Sequence, residues 1–117
     1  MLSEYQRDEF IKRFFDVAFA AHRTAKEKGF WPEDKVRLAE QKICLMHSEL
    51  SELLEAIRKP NADHQMIEDF SQEEIELADL IIRAMDYAVG RELRLPRAIL
   101  AKMDFNEGRP HMHGKRF

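Results

Sequence analysis

Apolar residues recur along this chain at helical spacing in four segments, and polar or helix-breaking residues separate the segments. In the first segment, apolar side chains between residues 10 and 19 repeat every three or four positions, as they do on one face of a helix. Ser3 followed by Gln6 predicts a capping box at its beginning. The pattern continues to about Lys28, and Gly29 is predicted to end the helix.

The second segment is predicted to begin at Pro32, because proline followed by acidic residues is typical of a first helical turn. Its apolar positions keep helical spacing to about Lys59, and Pro60 is predicted to stop the helix. Residues 61–70 then form a polar connection.

The last two segments are shorter. Ser71 with Glu74 predicts a second capping box, which opens a third helix that Gly90 is expected to close. A short fourth helix is predicted to begin at Pro96 and to include residues 98–101 and Met103. Beyond Asn106 the tail is basic and shows no helical pattern.

These patterns predict an all-α fold in a single domain, residues 1–117. It is a helical bundle of three long helices with a short fourth helix and a basic C-terminal tail. The sequence contains no run of alternating β-branched residues, which would indicate a strand. The third helix is apolar on almost every side, which is typical of a buried helix. Three or four helices in one chain are too few to cover the third helix on all sides, so we expect oligomerisation to complete the core.

Composition narrows the class of protein. The net charge of −3 gives no general basic surface, so we expect no nucleic acid polymer as a partner. No run of about 18 apolar residues predicts a membrane span, and the N-terminus does not resemble a signal peptide. Cys44 is the only cysteine, which excludes an internal disulfide and a multi-cysteine zinc site. We expect a cytoplasmic protein.

Two pairs of carboxylates are the main candidates for chemistry. Glu49 and Glu52 form the first pair and Glu76 and Asp79 the second, each with a spacing that places both acids on one side of a helix. The second pair lies on the apolar third helix, where the charged positions form a narrow stripe that Arg83 and Asp86 extend. Buried acids must be paired, protonated or bound to a cation.

A hard divalent cation suits such a group of acids. Magnesium takes oxygen ligands from a few carboxylates, water and phosphates, and no cysteine or histidine accompanies these acids to favour zinc. The alternative is structural. The first pair then lies on a solvated helix face, and Glu76 and Asp79 form an ordinary intrahelical salt bridge with Arg83.

At this point the chain resembles a known family. Glu-x-x-Glu followed after 23 residues by Glu-x-x-Asp is similar to the signature of the MazG-like all-α nucleoside triphosphate pyrophosphohydrolases. The resemblance extends to small single-domain members over four blocks: residues 28–31, 45–52, 76–83 and 102–110, with His113-Gly114-Lys115 at the end.

The resemblance implies an activity and a cofactor. Family members hydrolyse nucleoside triphosphates, often deoxy or non-canonical ones, to the monophosphate and pyrophosphate. They need Mg²⁺, with Mn²⁺ as a substitute, and they assemble as homodimers or homotetramers. The resemblance places the metal on Glu49, Glu52, Glu76 and Asp79. Of these, Glu49 or Glu52 is the candidate to orient or deprotonate the attacking water.

Cationic and polar groups are then needed for the phosphates. Lys102 and Asn106 share one face of the fourth helix, and Arg109 and Lys115 follow in the tail. In the alternative interpretation, Lys102 is a surface lysine and the tail only increases solubility.

Two further residues are candidates for the site. Trp31 is a candidate to stack on the nucleobase, although an aromatic residue beside a helix break is also typical of a core or interface plug. Arg83 is predicted to support the site by fixing a carboxylate, with a simple salt bridge as the alternative. The competing hypothesis for function is a non-catalytic helical module that binds a metal, a nucleotide or a partner protein.

Overall fold

Four α-helices make up the computed structural model, which describes residues 1–32, 38–60 and 67–117. No strand occurs in these ranges, so the all-α prediction is confirmed for them. The helices are α1 (Glu4–Glu27), α2 (Leu38–Arg58), α3 (Gln72–Gly90) and α4 (Leu95–Glu107).

Both predicted capping boxes are present. Ser3 Oγ accepts from the Gln6 backbone N–H at 3.1 Å, and Gln6 Oε1 accepts from the Ser3 N–H at 2.9 Å. Ser71 and Glu74 make the same reciprocal pair at the beginning of α3. Each box satisfies backbone donors that a helix otherwise leaves unpaired, which explains why these two boundaries could be predicted from sequence.

The helix ends follow the glycines only in part. Gly29 has a φ of +87°, as expected for a residue that ends α1. Gly90 is instead the last helical residue of α3, and the left-handed residue after that helix is Glu92, with a φ of 57°. Gly90 is required for a different reason: a Cβ at this position would overlap the indole ring of Trp31.

Two predicted boundaries lie next to parts of the chain that the structure does not describe. The predicted first turn of the second helix falls on residues 33–37, outside the described residues, and α2 is described from Leu38 onward. It ends at Arg58, one residue before the predicted position. Of the predicted polar connection, residues 61–66 also lie outside the described residues.

The basic tail contains one turn that the sequence pattern did not predict. A short 3₁₀ turn, His111–Gly114, includes Met112 and His113 with left-handed φ values of 51° and 54°. The His113 N–H donates to the Pro110 carbonyl at 2.8 Å. Hydrophobic periodicity misses this turn because it depends on backbone hydrogen bonds and not on an apolar face.

Helix α3 is central, because it packs against both α1 and α2, whereas α4 packs against α1. Arg7 on α1 holds α4 through two hydrogen bonds to the Asp104 carboxylate, at 2.6 and 3.0 Å. Within the described residues, the buried apolar side chains are few and mostly small. They are Ala18, Leu38, Ala56, Ala88, Pro96 and Leu100.

Large apolar side chains remain exposed on α2 and α3. Leu50, Leu54 and Ile57 are about half exposed on α2, as are Leu77 and Ile81 on α3. One chain therefore leaves part of its apolar surface uncovered, and completion of the core by oligomerisation stays a prediction. Among the described helices, none has the length and hydrophobicity needed to cross a membrane.

Candidate metal centre and cleft

Three of the four predicted metal ligands converge between α2 and α3. Glu49 comes from α2, and Glu76 and Asp79 come from adjacent turns of α3. One carboxylate oxygen of each residue lies within 4.8 Å of the others. Glu49 and Glu76 are each only 8% exposed, and Asp79 is partly buried. The packing of α2 against α3 thus brings three carboxylates together.

Two polar neighbours bind these acids. Arg83 Nε donates to Glu49 Oε1 at 2.7 Å, so the arginine pairs across the helices and not with the acids of its own helix. Gln72 Nε2 donates to Glu76 Oε1 at 2.5 Å. The other end of this amide, Gln72 Oε1, is buried and has no hydrogen-bond partner among the described residues. A buried acceptor of this kind normally receives a hydrogen bond from protein or water.

The electrostatics of the cluster favour a cation. Burial raises the pKa of Glu76, and the charges of Asp79, Glu49 and Glu52 raise it further. Burial also raises the pKa of Asp79, with Glu49 adding to this effect and Arg83 opposing it. Arg83 pairs with Glu49 and only partly offsets the charge of Asp79, so negative charge remains uncompensated in the cluster.

Glu52 occupies a different position from the other three predicted ligands. It is exposed and does not belong to the group of three converging carboxylates. It lies one helical turn after Glu49, and its charge is close enough to raise the pKa of Glu76. Its role as a metal ligand stays a prediction.

The acids open into a cleft of about 540 Å³ between α1, α2 and α3, whose lining includes Glu49 and Asp79. This volume lies within the range of small-molecule sites. Helix α1 supplies a wall of small or short side chains: Val17, Ala20, Ala21, Thr24 and Ala25. Three cationic side chains also line the cleft: Lys28, Lys42 and Arg83. The lining of the cleft thus combines carboxylates with cationic side chains.

A second polar cluster lies in the cleft around Asp86, which is 6% exposed. Asp86 Oδ1 lies 2.8 Å from His22 Nδ1 and accepts from Trp31 Nε1 at 2.7 Å. Asp86 Oδ2 accepts from Lys42 Nζ at 3.4 Å, and Lys42 is also 6% exposed. The cluster joins α1, α2, α3 and the segment after α1.

Lys42 is the residue that sequence reasoning missed. It lies seven positions before Glu49, so the two share one face of α2. That spacing was the available signal, but a lysine on a helix is usually solvated, and nothing in the sequence marks this one as buried.

Trp31 forms part of the wall around this second cluster. Its ring lies against Gly90, its centroid is 4.9 Å from that of His22, and Lys42 Nζ lies 4.3 Å from the ring. These contacts are those of a packed residue, whereas stacking of a nucleobase on Trp31 stays a prediction.

The four predicted phosphate ligands of the C-terminal region do not line the cleft. Lys102 and Asn106 lie on α4, and Arg109 and Lys115 follow it. Lys102 Nζ lies 4.5 Å from the Phe105 ring centroid, and the Arg109 guanidinium lies 5.6 Å from it. Within one chain these groups are not brought to the acids, and their role stays a prediction.

Comparisons of the chain with protein-family profiles, curated proteins and solved structures found no match. Whether the site suits a metal ion is therefore judged from the chemistry of its ligand atoms. All three converging ligands are carboxylate oxygens, which magnesium and manganese prefer. Gln72 Oε1, which has no hydrogen-bond partner among the described residues, is an acceptor suited to a water molecule bound by such an ion. The residues present fit a hard divalent cation.

Proposed function

We propose that this protein is a magnesium-dependent nucleoside triphosphate pyrophosphohydrolase, which releases the nucleoside monophosphate and pyrophosphate. One observation carries the proposal: three carboxylates converge within 4.8 Å, and two of them line a cleft of about 540 Å³ that also contains lysine and arginine side chains. An acidic cleft repels a triphosphate unless a cation lies between the acids and the phosphates. The resemblance of the motifs around these acids to those of MazG-like enzymes supports the same reaction.

Glu49, Glu76 and Asp79 would hold Mg²⁺, with Glu52 as a fourth ligand or a neighbour of the bound ion. When bound, the ion supplies charge neutralisation and polarises the phosphate oxygens. Arg83 fixes the orientation of Glu49 through the 2.7 Å hydrogen bond. The buried positions of Glu49 and Glu76 and the partly buried position of Asp79 reduce competition from bulk water for the ion and the substrate.

Glu52 is the better candidate to activate water. Glu49 already accepts a hydrogen bond from Arg83, whereas Glu52 is exposed and lies outside the converging group. In this proposal a water oxygen forms a bond to phosphorus, the bridge between the α- and β-phosphates breaks, and the water proton passes to Glu52. Catalysis rests mainly on positioning and charge stabilisation, as in phosphoryl transfer generally.

Self-association as a homodimer or homotetramer belongs to the same proposal. The half-exposed apolar residues of α2 and α3 supply a surface that a second copy would cover. Lys102, Asn106, Arg109 and Lys115 would then bind phosphate only if assembly brings them to a cleft, because they do not line that of their own chain.

A product assay tests the reaction. With Mg²⁺ and a panel of ordinary and modified nucleoside triphosphates, we expect monophosphate and pyrophosphate in equal amounts. Glu52→Gln, which removes the proposed base, should reduce turnover by at least about 100-fold, and Glu49→Gln, which removes a proposed metal ligand, should also reduce it. Glu73→Gln, at an exposed position in the first turn of α3, should leave turnover unchanged. Release of nucleoside diphosphate and orthophosphate would refute this reaction type.

A non-catalytic module is the second candidate. The observation in its favour is the Arg83–Glu49 pair, which neutralises part of the cluster without an ion. This candidate predicts nucleotide or metal binding by calorimetry with no product. For a module that only binds a partner protein, thermal stability should not respond to magnesium or nucleotide.

A further inference from the structure

The cleft has two polar ends. Lys42 precedes Glu49 by seven residues on α2, and Asp86 follows Asp79 by seven residues on α3. At 1.5 Å per residue each separation is about 10 Å along the helix. Since Lys42 pairs with Asp86 while Glu49 lies beside Asp79, the two helices run antiparallel, and the N-terminal part of α2 lies beside the C-terminal part of α3.

At the second end, the contacts of Lys42 with the described residues leave N–H donors of its ammonium without an acceptor. Asp86 already has three neighbours on its two oxygens: His22, Trp31 and Lys42. Lys42 has three N–H donors and makes a single long hydrogen bond, at 3.4 Å, to the described residues. Its ammonium otherwise lies near the rings of Trp31 and Phe30, with centroids at 4.3 and 5.6 Å.

We propose that Lys42 selects the nucleobase by donating a hydrogen bond to a carbonyl oxygen on the base edge remote from the sugar. The inference rests on the proposed function, in which the acidic end of the cleft takes the phosphates. A separation of about 10 Å then places Lys42 where the far edge of the base falls. The small side chains of α1, such as Ala21 and Ala25, leave room for the base and sugar between the ends.

The chemistry of an ammonium determines the class of base. Lysine donates only, so an amino group on the base meets it donor to donor, whereas a carbonyl oxygen accepts from it. Uracil, thymine, guanine and hypoxanthine carry a carbonyl at that edge, and cytosine and adenine carry an amino group. The cleft should therefore prefer keto bases over amino bases in both pyrimidines and purines.

Binding without turnover tests this preference. We would measure dissociation constants by calorimetry, with Mg²⁺, for α,β-methylene analogues of UTP, CTP, GTP and ATP. Trp31 is the only tryptophan in the chain and lies beside Lys42, so its fluorescence reports ligand at this end. We expect the UTP analogue to bind at least about tenfold more tightly than the CTP analogue, and the GTP analogue to exceed the ATP analogue by the same factor, as for a hydrogen bond to a charged group. Equal affinities within each pair would overturn the proposal.

Two lysine variants separate base selection from general attraction. In Lys42→Met the preference should fall to about twofold or less, with affinity for pyrophosphate alone unchanged; the range follows from loss of the charged hydrogen bond. Lys28→Met removes the same charge from an exposed position of the same cleft and should keep the preference. Equal weakening of all nucleotides and pyrophosphate in Lys42→Met would show that Lys42 binds phosphate and would overturn the proposal.

The two proposals fail separately. The affinities of the wild-type protein for keto and amino bases test base selection even if Lys42→Met does not fold. Keto-selective binding without pyrophosphate release would support base selection and refute the enzyme. Pyrophosphate release with no keto preference would refute base selection alone.

Discussion

Replacing Asp79 by Asn should stabilise the protein without metal and remove most of its stabilisation by magnesium. Asp79 lies within 4.8 Å of carboxylate oxygens on Glu49 and Glu76. Asparagine keeps the shape of the side chain and removes the charge. The substitution therefore relieves repulsion in the metal-free state and deletes a ligand in the metal-bound state.

The magnitude follows from the geometry. At 4.8 Å and an effective dielectric constant of about 20, two unit charges repel by about 3 kcal/mol. Asp79 has two such neighbours, while attraction to Arg83 opposes the repulsion. Protonation and side-chain relaxation reduce the difference further, so we expect a net stabilisation of about 1–3 kcal/mol. In a domain of this size that raises Tm by about 4 °C per kcal/mol.

Thermal melts with chelator and with excess Mg²⁺ measure both effects. The wild-type protein should gain stability from the ion according to its concentration relative to Kd, and Asp79→Asn should gain much less. Asp16→Asn is the matched control, because Asp16 is exposed on α1 and pairs only with Arg13 among the described residues. A lower Tm for Asp79→Asn in chelator, or equal gains from Mg²⁺, would refute the reasoning.

The same cluster sets the sign of a pH effect. Because the pKa of Glu76 and of Asp79 is raised on folding, the folded state binds more protons than the unfolded state between about pH 4 and the raised pKa values. Metal-free stability should therefore fall as pH rises through the raised pKa values. Glu74 and Asp104 have lowered pKa values, and their contribution is lost as pH falls. The difference in stability between the wild-type protein and Asp79→Asn, measured at each pH, isolates the contribution of the cluster.

Three further substitutions test the fold around the site. Gly90→Ala should displace Trp31 and shift the tryptophan emission. The free energy of unfolding, measured in urea, should fall by about 1–3 kcal/mol. An unchanged spectrum and an unchanged stability would contradict the packing described. Leu54→Glu should reduce the molar mass measured by light scattering if α2 forms the interface between copies, whereas a mass equal to that of an assembled wild type would exclude this position from it. Ser71→Ala removes the cap of α3 and should cost about 1 kcal/mol in the same unfolding assay, with no cost expected if the capping box does not form in solution.

The sequence predicts the helices better than it predicts the pairs between them. Ser3 and Ser71 mark helix beginnings because a capping box is completed within four residues, so local sequence contains the whole interaction. The turn at Met112 and His113 has no apolar periodicity, and no pattern marked it. Boundaries near residues 33–37 lie outside the described residues.

In the candidate site, too, local spacing predicts positions along one helix but not the contacts between helices. Spacing along α3 predicts that Glu76 and Asp79 lie on one side, and the structure brings them to Glu49. Spacing does not give the rotation of α2 against α3, which determines that Glu49 enters the cluster while Glu52 remains exposed. It also does not show that Lys42 is buried, because a lysine is buried only where a partner such as Asp86 lies opposite.

The relative position of α2 and α3 links the stability of the fold to the chemistry of the cleft. Two cross-helix pairs, Glu49–Arg83 and Lys42–Asp86, connect these helices at points seven residues apart on α2. A shift of one helical turn, about 5.4 Å, would separate both pairs and leave buried charges without partners, which is strongly unfavourable. The pairs that disfavour such a shift also place the acids at one end of the cleft and the lysine at the other. The charges that form the site therefore also fix the distance between its two ends.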